Sequence, residues 1–229
     1  MKSVIISTAY PLRGGIAQSN EGLSRAMNKA GIKNHIISFK FLYPSFFFPN
    51  KSFKEVGKGS SDLKISSEIS SINPLTWFSV ASKIKKEKPD FVVIRYWVPF
   101  LSPALGTIAR LIKLNTKIKV ICLVDQVYPH ERRFVDDILA GYTLGSGDAF
   151  IVFSKSVEKK LIDFAKGKKI VQTPLPLYTA FGKKISKLNA KKRLGLQKDN
   201  RVLLFFGFIR HYKGLDLLIK ALAEPKVRK

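Results

Sequence analysis

The chain has 229 residues, 45% of them apolar, and carries 41 Lys and Arg against 16 Asp and Glu, a formal net charge of +25. Length and apolar share suffice for a packed core, and the positive balance points to an anionic partner: nucleic acid, anionic lipid or phosphorylated small molecules. The single cysteine, Cys122 in the apolar run VICLV, excludes a disulfide framework and any CxxC metal motif.

In chain order, SVIISTA (3–9) reads as a buried strand. A helix is predicted from Gln18 to Lys29, where Leu23, Met27 and Ala30 recur at helical spacing before Gly31. Further strands are predicted at 35–39, 90–97, 119–125, 148–154 and 169–174, and helices at 74–87, 102–113, 135–145 and 155–165. Two stretches break this rhythm. FLYPSFFFPNKSF (41–53) is aromatic and proline-rich, and the polar, Ser-rich residues 54–73 read as a loop. From about Leu177 the chain becomes a basic linker with one helix near 188–196, and RVLLFFG (201–207) reads as the strand that opens a second sheet.

Continuous Val/Ile runs alternating with helices predict an α/β protein. Its first domain is a doubly wound parallel sheet, Rossmann-like, whose ligands gather at the carboxyl ends of the strands. The expected division is a domain over 1–176, a linker over 177–200 and the start of a second domain over 201–229. The first residues, MKSVIISTAYPLRGG, contain no apolar stretch long enough for a signal peptide. The longest uncharged apolar stretch, Tyr96 to Ala109, contains Pro99 and Pro103 and is too short to span a bilayer. The expected location is the cytoplasm, with peripheral attachment to the inner face of a membrane.

Three motifs sit where such a fold places its ligands. The first βα turn, PLRGGIAQSN (11–20), has two glycines that let the backbone approach a ligand, a following helix N-terminus that favours an anion, and Arg13 beside it. It matches neither GxGxxG nor a Walker loop, which disfavours NAD and P-loop chemistry. The same residues also suit a tight turn with no ligand. VDQVYPHERR (124–133), at the end of a strand, groups Asp125, His130, Glu131, Arg132 and Arg133 in a proline turn. GFIRHYKG (207–214) frees the backbone at Gly207 and offers Arg210 and Lys213 to one anion, a fork and a mobile point charge suited to a leaving diphosphate. An ordinary basic turn capping a sheet is the plainer reading of it.

The segments YPLRGGIAQSN (10–20), INPLTWFSVASKI (72–84), PDFVVIRYWVPFLSPALG (89–106), VYPHERR (127–133), DAFIVFSKSVEKKL (148–161) and FFGFIRHYKGLDLLIKAL (205–222) together resemble retaining GT-B glycosyltransferases of family 4. The last is similar to that family's G-x-x-R…KG-x-x-x-LI-x-A segment. The resemblance covers the N-terminal half and the opening of the C-terminal half, and implies a GT-B-like fold with an incomplete second Rossmann-like domain. It implies transfer of a hexose from a UDP- or GDP-linked sugar to a polysaccharide or lipid-linked acceptor, with no metal and no further cofactor. Arg210, Lys213, Gly14 and Gly15 would hold the donor phosphates, and His130, as the catalytic residue, would lie near the transferred sugar. Arg13, Asp125, Glu131 and Gly207 would line the site.

The sequence departs from the pattern at VDQ (124–126), where relatives commonly carry a His. It also ends before the acidic E-x7-E segment that would hold the donor sugar and ribose, so the chain reads as cut off and inactive alone. Two other readings stay open: a basic α/β module that binds anions or nucleic acid without chemistry, and a subunit that docks a separate C-terminal half. The absence of nucleic-acid motifs, and aromatics that fall in strand-like runs, weigh against nucleic acid.

Overall fold

The structure, a computed structural model, describes residues 1–44, 62–129, 134–177, 182–207, 209 and 211–224. Two compact units result, Met1–Tyr178 and Thr179–Lys229.

The described residues of the first unit form one seven-stranded sheet: β1 (Lys2–Ile6), β2 (Lys33–Phe41), β3 (Ile65–Ser70), β4 (Phe91–Tyr96), β5 (Lys119–Val124), β6 (Ala149–Val152) and β7 (Ile170–Gln172). Their order is β3-β2-β1-β4-β5-β6-β7, and every pairing is parallel. This is the doubly wound, Rossmann-like α/β arrangement expected from the alternating runs. The helices are α1 (Gly15–Lys29), α2 (Pro74–Glu87), α3 (Ser102–Lys113), α4 (Val135–Leu144) and α5 (Lys155–Ala165), with a short 3-10 turn at Pro99–Leu101.

Strand side chains alternate between faces, and the core divides accordingly. Val4, Ile6, Ile94, Val120, Cys122 and Phe150 pack with Val80 and Ile84 of α2, Ile108 and Ile112 of α3, Leu144 of α4 and Leu161 of α5. Ile5, Ile36, Val93 and Leu123 pack on the opposite face with Met27 and Leu23 of α1. Local signals set the helix ends. Asn73 caps α2 through Leu75 N at 3.1 Å with Pro74 in the first turn, and Ser154 caps α5 through Val157 N at 3.3 Å.

Two expectations are corrected. Within the stretch read as a loop over 54–73, residues 65–70 form β3. Among the described residues it is an edge strand, only partly buried, with register shifts against β2 at Ser38/Phe39 and Phe39/Phe41. The strand and second sheet expected at 201–207 are not formed over 201–206. An apolar extended run becomes a strand only when another strand accepts its hydrogen bonds, and the second unit contains none among its described residues. That unit comprises α6 (Lys187–Arg193), capped by Ser186 through Asn189 N at 3.2 Å, a 3-10 turn at His211–Lys213, and α7 (Leu215–Ala223). Among the described residues no helix is long and apolar enough to cross a membrane.

Two side chains report on this packing. Cys122 is fully buried and burial pushes its thiol up to about 12. A thiol reagent at neutral pH therefore leaves the native chain unmodified and labels it fully in denaturant, as intact mass would show. Asp148 joins the end of α3 to the β5–β6 layer, accepting from Lys113 Nζ at 2.7 Å and Val120 N at 2.8 Å. Burial raises its pKa, but the lysine and the amide outweigh that and hold it below the ordinary carboxylate value. A depressed folded pKa means the contribution is present above the unfolded value, near pH 4, and lost as pH falls through the folded one. Asp148→Asn should cost about 1 kcal/mol at pH 7, with the gap to the wild type closing at pH 3 in urea unfolding.

Candidate functional site

The winding reverses between β1 and β4, and a doubly wound sheet opens its crevice there, at the carboxyl ends of the strands. The chain leaves β1 through Ser7 and Thr8. Ala9 N donates to Ser38 Oγ at 3.0 Å, Tyr10 N to Glu21 Oε1 at 3.1 Å and Leu12 N to Ala9 O at 2.9 Å. The turn then exposes Arg13, Gly14 and Gly15. Gly14 has φ 123° and ψ 169°, a conformation that only glycine adopts without strain, and it caps α1 with no side chain. A Cβ placed at Gly14 meets no described atom within 4 Å. No acidic residue occupies the first turn of α1 to neutralise its dipole.

Beneath this turn lies a polar network that the motif reading missed. Arg95, on β4 and 2% exposed, donates from Nε and Nη2 to Asp125, both at 2.7 Å, and from Nη1 to Asn20 Oδ1 at 3.0 Å. Asn20, on α1, donates in turn to Ser7 Oγ at 2.7 Å and Thr8 O at 2.8 Å. The Phe153 ring lies 5.7 Å from the guanidinium carbon. Both oxygens of Asp125 are thus engaged by Arg95, and Gln126 Nε2 donates to Trp97 O at 2.9 Å. The visible signal was a lone arginine in the apolar run FVVIRYW, with an aspartate closing the neighbouring strand.

Beside the crevice, Trp97 Nε1 donates to Tyr43 Oη at 2.9 Å, and the Tyr43 and Phe100 rings are 5.8 Å apart. Burial raises the Tyr43 hydroxyl pKa, and the bond from Trp97 only partly opposes it. A groove of about 440 Å³ lined by Ser79, Ser82, Lys83, Lys86 and Glu87 lies on the last turns of α2. Glu87 there meets Lys2 at the start of β1, so this groove lies at the opposite end of the sheet from the crevice.

The structure thus places Arg13, Gly14 and Gly15 on the turn after β1, with Asp125 linked through Arg95 and Asn20 to Ser7 and Thr8 upstream of that turn. Gly207 (φ 126°) and Lys213, exposed in the 3-10 turn, belong to the second unit. His130, Glu131 and Arg210 lie outside the described residues. Among the described residues no group of three or more His, Cys, Asp or Glu is placed to hold a metal ion.

No protein-family profile and no curated protein matches the chain. Several solved structures do. The UDP-N-acetylglucosamine 2-epimerase of Rickettsia bellii is similar at 16% identity and a TM-score of 0.50, over 76% of this chain and 45% of that one. The UDP-GlcNAc 2-epimerase of Methanocaldococcus jannaschii is similar at 20% identity and a TM-score of 0.47, over 75% and 45%. An alpha-glucosyltransferase in complex with UDP and mismatched DNA is similar at 12% identity and a TM-score of 0.47, over 77% and 41%. The chain spans less than half the length of these structures.

Arg95→Met should lower stability by about 3 kcal/mol, because it strands Asp125 and the Asn20 carbonyl in a largely dry site. Urea unfolding of the variant checks this. At such low identity the likeness establishes architecture alone: the chain has the doubly wound, Rossmann-like α/β fold that it shares with the Rickettsia enzyme.

Proposed function

We propose that the chain forms part of a retaining, family-4-type GT-B glycosyltransferase that takes a hexose from a UDP- or GDP-linked donor to a polysaccharide or lipid-linked acceptor. The observation that carries this reading is the exposed glycine turn at Gly14, with its positive φ, at the N-terminus of α1 and at the switch point of the sheet. A diphosphate suits it: the helix end and Arg13 supply fixed positive potential where negative charge grows as the sugar–phosphate bond breaks. Support also comes from the resemblance of 205–222 to the family's donor segment, and from the Rickettsia fold neighbour being named for a UDP-sugar.

In this mechanism the bond from the sugar C1 to the diphosphate oxygen breaks. The acceptor oxygen bonds C1 on the same face, and its proton passes to the leaving diphosphate. Arg210 and Lys213 steady that diphosphate, and His130 sits by the sugar. Both halves of the enzyme are needed to position donor and acceptor. The net charge of +25 and the aromatic segment 41–53 accord with an acceptor carried on an anionic membrane.

The test is titration of the chain with UDP and GDP at physiological salt. Binding should be weakened about tenfold or more by Gly14→Val, which cannot keep the turn, and by Arg210→Ala, which loses a charged phosphate contact. Tight, salt-sensitive DNA binding with no preference for either nucleotide would replace this reading with the basic anion-binding module.

A further inference from the structure

Arg95 is the bulkiest fully buried side chain among the described residues, and it is a cation in a strand whose neighbours Val93, Ile94 and Tyr96 are apolar. Stability alone gives little reason for it, since a buried ion pair is often no better than apolar residues of similar volume. What it holds is more telling. One side of the guanidinium takes both oxygens of Asp125, where the chain leaves β5. The remaining Nη1 takes Asn20 Oδ1 and thereby orients the Asn20 amide, so that its NH2 faces two acceptors, Ser7 Oγ and Thr8 O, where the chain leaves β1. The exits of β1 and β5, and the helix that follows the glycine turn, are thus set by one planar group on β4.

We propose that Arg95 is a positioning residue: through Asn20 it fixes the exit of β1 against α1 and so sets the conformation of the Arg13–Gly15 turn, while through Asp125 it fixes the exit of β5 on the other side of the crevice. The claim that this turn receives a nucleotide diphosphate rests on the proposed function. The claim that Arg95 sets the turn does not.

Hydrogen exchange followed by NMR separates a positioning role from a merely stabilising one. The reporters are the Ala9, Leu12 and Gln18 amides, which bond to Ser38 Oγ, Ala9 O and Gly14 O respectively. The double variant Arg95→Met/Asp125→Leu removes both charges together. Its reporters should exchange about tenfold faster or more, relative to the amides in the middle of β4 and β5. Asn20→Ala, which leaves the Arg95–Asp125 pair in place, should do the same and serves if the double variant does not fold. Reporter and core amides that change in step, or not at all, would overturn the proposal. UDP titration of the same proteins reads the other claim: a wild-type chain that ignores UDP counts against the nucleotide-sugar reading, and the exchange rates still decide the role of Arg95.

Discussion

The first unit hangs on β1. Its residues Val4, Ile5 and Ile6 are completely buried, and the strand pairs with β2 on one side and β4 on the other, both in parallel. Parallel neighbours must be joined by crossovers, and those crossovers have one hand. The crossover from β1 to β2 therefore places α1 on one face, and the crossovers from β4 outward through β5 and β6 to β7 place α3, α4 and α5 on the other. The crevice between the two series follows from that reversal. The glycine turn, the Arg95 network and the Tyr43–Trp97 contact all gather where this one strand ends.

Much of this was legible because the signals were local. Pro74 after Asn73 fixed the start of α2, and Ser154 fixed that of α5. The apolar runs containing Val92–Ile94 and Val120–Val124 named their strands by composition. The first helix begins at Gly15 rather than Gln18, because a glycine cap without a side chain leaves no polar residue to mark it. What escaped was non-local. β3 reads ISSEIS, a pattern whose strand character depends on β2 beside it. Residues 201–206 carry strand-like composition, but no described strand of their own unit pairs with them. Arg95 and Asp125 are 30 positions apart, and only the register of β4 against β5 shows that they meet. Of the candidate site, the glycine turn could be read from sequence, whereas the network under it could not.

Charge divides in a similar way. Glu21 and Asp62 meet Arg25, Glu68 meets Lys83, Glu87 meets Lys2 and Asp148 meets Lys113. These carboxylates are neutralised locally and contribute modestly to stability. The excess cations remain, and their field reaches about 8 Å into physiological salt. Such a field draws anions of many kinds toward the chain. The bonds that fix the geometry of the crevice are buried, and salt screens them far less.

The two edges of the sheet share a property with a wider consequence. β3 is serine-bearing and slips register twice against β2, and β7 is only three residues long. A parallel sheet leaves a row of unpaired amides and carbonyls at each side, and a long, flat, apolar border would recruit strands from other chains. Here one border carries serines and shifts register and the other is only three residues long, two of the ways in which native sheets blunt such borders. The serines that hid β3 in the sequence are thus also what make that border a poor template for a strand of another chain.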